Sequence, residues 1–174
     1  CETRARALSI SKTRTFEKKS DNKQTVYAEL CRNIERACKK ARQHNVVAKK
    51  ITILLRKSDF TYVSADLLLP RSSAFDHDIV QAASRAFSEL FESRTSYRST
   101  GIVLSQLCDA HEVQANLFEP VQKVQKLERL YSAVDAIGKK IAKESRIHLG
   151  STLYGAQKRT AYGEQTPIGM RPRI

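Results

Sequence analysis

The stretch ITILLRKSDFTYVSADLLL, residues 51–69, decides the fold. Apolar residues alternate with others along its first half, and the polar KSD at residues 57–59 separates this run from a second apolar run. Two extended runs joined by so few residues are typical of an antiparallel hairpin. We therefore predict one strand over residues 49–57 and a second over residues 60–69, which Pro70 ends.

The predicted hairpin is flanked on each side by an amphipathic helix and an outer strand. Apolar residues recur at three and four positions over residues 25–45 and again over residues 76–93, which indicates helices. Residues 7–16 and 98–107 read as strands. The order β-α-β-β-α-β predicts an α+β, ferredoxin-like fold, with a four-stranded sheet and two helices on one face.

The remaining face of the predicted sheet must be polar. In ALSISKTRTF, residues 7–16, Leu8 and Ile10 lie on one side of an extended chain and Ser9 and Ser11 on the other. An open sheet face with hydroxyl and basic side chains suits a phosphate backbone. An ordinary solvated face, which antiparallel sheets commonly have, is the alternative.

Charge is distributed unevenly along the 174 residues, whose formal net charge is +13. Residues 1–60 carry a net +10, residues 61–120 a net −4 and residues 121–174 a net +7. Lys and Arg side chains that neutralise phosphates gain affinity by releasing counterions. Nucleic acid is therefore the expected partner, and a merely solvated basic surface is the alternative.

Several function classes are excluded by what the sequence lacks. No apolar run approaches the roughly 20 residues that cross a bilayer, and we expect a cytoplasmic protein with no membrane partner. Its four cysteines and four histidines show no metal-ligand spacing, so no metal site is expected. No glycine-rich phosphate loop or nucleophile elbow occurs, so we expect no small-molecule substrate and no independent catalysis.

The two outer strands carry a family resemblance. RALSISKTRTF and YRSTGIVLSQL resemble the first and last strands of the little finger, the C-terminal domain of Y-family translesion DNA polymerases, especially of the polymerase IV type. This resemblance implies a domain that grips the backbone of primer-template DNA, including damaged DNA. The DNA-binding residues that it implies are Ser9, Ser11, Lys12, Thr13, Arg14, Ser64, Arg98, Ser99 and Thr100. Asp66 departs from the family pattern and puts phosphate contacts of that strand in doubt.

A second resemblance lies in QANLF, residues 114–118, which is similar to the peptide by which bacterial polymerases dock on the sliding clamp. It implies that Gln114, Leu117 and Phe118 bind the clamp. We accordingly expect three parts, listed in chain order as a DNA-binding domain at 1–107, a linker at 108–120, and a C-terminal helix with a basic, flexible tail at 121–174.

The resemblance also implies a larger parent enzyme. Because Cys1 stands where an initiator methionine is expected, we predict a piece of a longer protein. The resemblance implies that this longer protein is a DNA-directed DNA polymerase. The parent would use magnesium at palm carboxylates upstream of Cys1. The present chain would hold no cofactor and would be inactive alone.

Two other classes share this order of elements. An RNA-binding module would stack bases on aromatic residues of its inner strands, but ITILLRK and SISKTRTF lack the Gly-Phe pattern of such modules. A small acylphosphatase-like enzyme would need an anion-binding loop after the first strand, where EKKSDNKQ offers no glycine.

Overall fold

The computed structural model describes residues 9–110 and 121–140, with the side chains of 121–124 and 138–140 excepted. The elements are β1 (Ser9–Ser20), α1 (Lys23–Gln43), β2 (Val46–Lys57), β3 (Tyr62–Ser73), α2 (Asp76–Leu90), β4 (Tyr97–Asp109) and α3 (Val121–Lys140). The predicted β-α-β-β-α-β order, followed by a C-terminal helix, is confirmed. The predicted flexible tail lies outside the described residues.

The four strands form one sheet in the order β1-β4-β2-β3, and every neighbouring pair is antiparallel. β1 and β2 therefore run parallel with β4 between them, while β3 and β4 run parallel with β2 between them. Each β-α-β crossover is thus split by an inserted strand. β2 and β4 are the central strands, and β1 and β3 are the edges.

Both crossover helices cover the same face of the sheet. α1 packs on β1, β4 and β2, and α2 packs on β3 and β2. α1 begins where the Asn22 carboxamide oxygen accepts a hydrogen bond from the Thr25 amide at 3.0 Å. The core is one apolar cluster, formed by helix stripes that include Leu30, Ile34 and Phe87 and by the inward strand residues. Burial of these side chains supplies the main driving force for folding.

The second hairpin strand continues past Pro70, so the prediction that Pro70 ends it was wrong. β3 runs to Ser73, because an edge strand tolerates a residue without an amide hydrogen. A register shift between Ala48 and Lys50 of β2 accommodates the extra β3 residues. The Pro70 carbonyl remains available and accepts a hydrogen bond from Lys49 Nζ at 3.1 Å.

Tyr131 of α3 packs against the rest of the domain and is 7% exposed. Its ring stacks on Phe75 at a centroid distance of 5.2 Å, and its hydroxyl accepts a hydrogen bond from the His77 amide at 3.1 Å. None of the helices in the described ranges is long and apolar enough to span a membrane. The predicted three-part division of the chain stays a prediction.

Candidate nucleic-acid interface

One face of the sheet carries no helix, and we call it the open face. On β2, Ile51, Ile53 and Leu55 are fully buried under the helices, so the residues between them point to the opposite face. The strand registers align the outward positions in four rows across β1, β4, β2 and β3. These rows are Ser9–Ser105–Lys50–Leu68, Ser11–Val103–Thr52–Asp66, Thr13–Gly101–Leu54–Ser64 and Thr15–Ser99–Arg56–Tyr62. Half of the positions hold Ser or Thr, so the open face is rich in hydroxyl groups.

On β1 the predicted DNA-binding residues divide between the two faces. Ser9, Ser11 and Thr13 are exposed on the open face, as their alternation predicted. Lys12 and Arg14 lie two and four residues after buried Ile10 on the same strand. Their side chains therefore point to the helix-covered side. The predicted DNA-binding residues of β1 therefore do not lie on a single surface.

The side chain of Arg14 approaches α1, with its Nε 3.9 Å from Glu29 Oε2. Lys12 faces the basic end of α1 and lines an open groove there. The groove is formed by Lys12, Arg36, Lys39, Lys40, Gln43 and His44. The groove is basic because the polar stripe of α1 lines it. Lys12 also lines the groove because β1 is an edge strand.

Thr100 lies inside the domain, in contrast to its predicted place on the DNA-binding surface. Its side chain is only 2% exposed and faces α1. Asn33 Nδ2 donates to both the carbonyl oxygen and Oγ1 of Thr100 at 3.0 Å. The Thr100 hydroxyl therefore satisfies a buried amide rather than meeting solvent.

Arg98 reaches the open face because of an irregularity in β4. Tyr97 pairs with Lys57 and Ser99 pairs with Arg56, so Arg98 is an extra residue on its strand. Such a β-bulge changes the direction of a side chain. The guanidinium carbon of Arg98 lies 4.6 Å from the ring centroid of Phe60, beside the β2–β3 turn.

Ser64 is exposed on β3, the opposite edge of the open face from β1. Asp66, two residues further, is already engaged within the sheet. Its Oδ2 lies 2.7 Å from Lys50 Nζ, and its Oδ1 accepts a hydrogen bond from Thr52 Oγ1 at 2.6 Å. The hydrogen bond from Lys50, and to a smaller extent the one from Thr52, lowers the pKa of the Asp66 carboxyl below its ordinary value. Asp66 therefore neutralises the nearby lysine and reduces the positive charge of this edge.

An aromatic and arginine cluster at the β2–β3 end of the open face was not predicted from the sequence. Phe60 and Tyr62 are 57% and 61% exposed, and the guanidinium of Arg56 lies against both rings. The alternation of Tyr62 with the partly buried apolar residues of β3 could have indicated its outward direction. The position of Phe60 depends on the conformation of the turn.

The predicted clamp-binding residues Gln114, Leu117 and Phe118 lie outside the described residues. Their predicted role is therefore not tested by the structure.

Comparison with solved structures first defines the class of fold. The insertion ternary complex of Dbh DNA polymerase matches with a TM-score of 0.52 at 15% identity, over 59% of this chain and 29% of that chain. At this identity the likeness shows a shared fold, that of one part of a DNA polymerase.

The family follows from the sequence itself. Residues 7–117 match the model of the impB/mucB/samB family C-terminal domain, and the chain belongs to this family. The expected relationship to the C-terminal little finger domain of Y-family polymerases is thereby confirmed.

Two relatives illustrate the extent of the match. Protein SamB of Salmonella typhimurium is 26% identical over 133 residues, which cover 72% of this chain and 31% of that protein. DNA polymerase IV of Streptococcus thermophilus is 31% identical over 110 residues, which cover 63% of this chain and 30% of that protein. The chain thus spans just under a third of the length of these curated relatives.

Proposed function

We propose that this domain grips the backbone of primer-template DNA for a Y-family DNA polymerase during translesion synthesis. The observation that carries this proposal is the hydroxyl-rich open face, with Arg98 turned onto it by the bulge in β4. The proposed contacts are Ser9, Ser11, Thr13, Ser64, Arg98 and Ser99. Hydroxyl and guanidinium donors hold phosphates and carry no base sequence information, which suits a polymerase that accepts damaged templates.

The affinity of the chain for duplex DNA should be modest and should fall as the salt concentration rises. Each phosphate that is neutralised contributes a slope of about −0.9 in a plot of log affinity against log salt concentration. Arg98 is the cation of the proposed contacts, while Lys50 is paired with Asp66. We therefore expect a shallow slope of about −1 for the open face alone.

The experiment that tests the proposal compares two neighbouring residues on opposite faces. Ser11→Glu and Lys12→Gln each lower the net charge by one, but only Ser11 lies on the open face. Fluorescence anisotropy with labelled primer-template DNA, across a series of salt concentrations, should show weaker binding for Ser11→Glu. Lys12→Gln should change the affinity by no more than about twofold through long-range electrostatics.

A larger loss for Lys12→Gln than for Ser11→Glu would place the contact at the groove beside α1 and overturn the proposal. Affinity independent of salt would also contradict it. The same assay with single-stranded RNA separates this function from an RNA-binding module, which the family match does not favour.

We propose that the parent is a DNA-directed DNA polymerase with magnesium at its catalytic domain. The domain described here does not fit that metal, because no three His, Cys, Asp or Glu side chains of residues 9–110 and 121–140 converge as ligands. Its part is to hold DNA. Primer extension by the isolated chain should therefore be undetectable.

We also propose that Gln114, Leu117 and Phe118 dock the chain on a sliding clamp. The support is the resemblance of QANLF to clamp-binding peptides and its position at the end of the matched domain. Leu117→Ala/Phe118→Ala should abolish retention of the chain on an immobilised bacterial clamp and leave affinity for DNA unchanged. Equal retention of the variant and the unmodified chain would contradict this assignment.

A further inference from the structure

At the β2–β3 end of the open face, four side chains form what we call the stacking cluster: Arg56, Phe60, Tyr62 and Arg98. The guanidinium carbon of Arg56 lies 4.9 Å from the Phe60 centroid and 5.0 Å from that of Tyr62. The guanidinium carbon of Arg98 lies 4.6 Å from the Phe60 ring centroid. Two exposed aromatic rings are thus held in place by two cationic planes.

The conformation of Phe60 is costly for the turn that contains it. Its φ is 72°, in the left-handed region that a bulky side chain rarely adopts. Gly or Asn would form this turn with less strain. The Phe60 amide donates to the Lys57 carbonyl at 3.1 Å, which closes the turn and fixes the residue there. Strain retained at an exposed aromatic residue, 57% accessible, indicates a role for the ring beyond folding.

The charges of the cluster have no carboxylate partner in the ranges that the structure describes. Among the residues that the structure describes, no carboxylate pairs with Arg56 or Arg98, whereas Lys50 and Lys57 are paired with Asp66 and Glu92. The buried Nε atoms of both arginines also have no hydrogen-bond partner in the described part of the chain. Exposed rings beside unneutralised cations match a ligand that is both aromatic and anionic, which describes a nucleotide.

We propose that the stacking cluster binds an unpaired base of single-stranded DNA next to the duplex. A paired base in a duplex has both faces covered by its neighbours, whereas an unpaired base can stack on an aromatic side chain. Phe60 and Tyr62 provide the ring faces, and the two arginines attract the adjoining phosphates. The inference extends the proposed DNA contact of the open face from backbone alone to a base, without reading its identity.

The test uses the full chain and three fluorescein-labelled DNAs: a blunt duplex, the same duplex with a single-stranded extension of about four nucleotides, and one whose extension is abasic. The unmodified chain should bind the base-containing extension roughly tenfold more tightly than the abasic one. Phe60→Asn should reduce this ratio to about one, because Asn accepts positive φ but lacks the ring. The same variant should unfold at an equal or higher urea concentration, which separates loss of stacking from loss of fold. Quenching of 2-aminopurine in the extension reports stacking directly.

The outcomes separate this inference from the proposed function on which it builds. Equal affinity for abasic and base-containing extensions, with the blunt duplex still bound, would overturn base stacking and leave the backbone contact in place. Base-dependent binding without affinity for the blunt duplex would support stacking and overturn the proposed function. Loss of blunt-duplex binding in Phe60→Asn, with its fold retained, would also overturn the inference, because the ring would then serve the duplex contact. Absence of binding to all three DNAs would overturn both.

Discussion

Arg42 of α1 and Asp135 of α3 form an ion pair with two contacts, Nε to Oδ2 at 2.8 Å and Nη2 to Oδ1 at 3.2 Å. The same guanidinium donates from Nη1 to Asp76 Oδ1 at 2.9 Å and lies 4.7 Å from the Tyr131 ring centroid. Side chains of α1, α2 and α3 therefore meet at one arginine. This arrangement attaches the C-terminal helix to the domain.

Replacing Asp135 with Asn should weaken the attachment of α3. Both side chains of the pair are largely buried, so loss of the charge-assisted bonds should cost about 1–3 kcal/mol of docking free energy. Hydrogen exchange of α3 amides should accelerate, while exchange in the sheet stays unchanged. The matched control is Glu128→Gln, at an exposed position of the same helix. Equal acceleration in both variants would show that the ion pair does not fix α3.

Thr100 is predicted to contribute to stability and not to DNA binding. Thr100→Val keeps the shape of the side chain but removes an acceptor from buried Asn33, which should lower the free energy of unfolding by about 1–2 kcal/mol. Urea unfolding measures this loss, and anisotropy should show unchanged affinity for duplex DNA. Thr15→Val, the same substitution at an exposed open-face position, should have little effect on stability. A stable Thr100→Val variant with weakened DNA binding would contradict this assignment.

Gly101 is required by the close approach of β1. A Cβ at this position would lie 2.5 Å from Thr13 Cγ2, so Gly101→Ala should destabilise the domain by about 1–3 kcal/mol. Thr13→Ala removes the obstructing methyl group and should restore part of the loss. The double-mutant cycle, measured by urea unfolding, should therefore give a coupling of more than about 0.5 kcal/mol. Strict additivity would show that the clash is relieved elsewhere.

Much of the fold was predictable because strand alternation and helical periodicity are local properties. The exposure of Ser9, Ser11 and Thr13 and the burial of Ile10 followed from alternation alone. The inward direction of Thr100 follows from the same rule, once Ile102 is placed in the core. The family resemblance selected consecutive residues of whole strand segments. It therefore did not separate residues on the open face from residues on the helix-covered face.

Other features could not be predicted, because they depend on pairing between distant segments. The bulge at Arg98 exists only relative to the register of β2. Continuation of β3 through Pro70 requires that β3 be an edge strand. Phe60 occupies a backbone conformation that local propensity assigns to other residue types, so only the structure shows its exposure beside the arginines.

The ion pair of Asp66 should contribute to the acid sensitivity of the domain. Its folded pKa is lowered by Lys50 and Thr52, so its contribution is present above the unfolded pKa of about 3.9 and is lost as the pH falls through the folded value. Asp66→Asn should therefore lose less stability than the unmodified chain between about pH 5 and pH 2. Urea midpoints at several pH values measure the difference. If the variant and the unmodified chain lose the same free energy of unfolding in acid, the lowered pKa of Asp66 is contradicted.

Asp66→Asn should also strengthen DNA binding, because Asp66 is the acidic residue among the four open-face rows. Its removal leaves Lys50 Nζ without the carboxylate that lies 2.7 Å away, so the lysine becomes available to a phosphate. The salt slope should steepen by up to about 0.9, the value for one additional phosphate contact. Glu89→Gln on α2 changes the net charge equally but lies on the helix-covered side, and it should leave the slope unchanged. If both variants bind DNA equally more tightly, the gain reflects total charge and the open face has no special role. A gain confined to Asp66→Asn instead requires a phosphate within reach of Lys50, on the central strand β2 of the sheet face that we propose as the DNA contact.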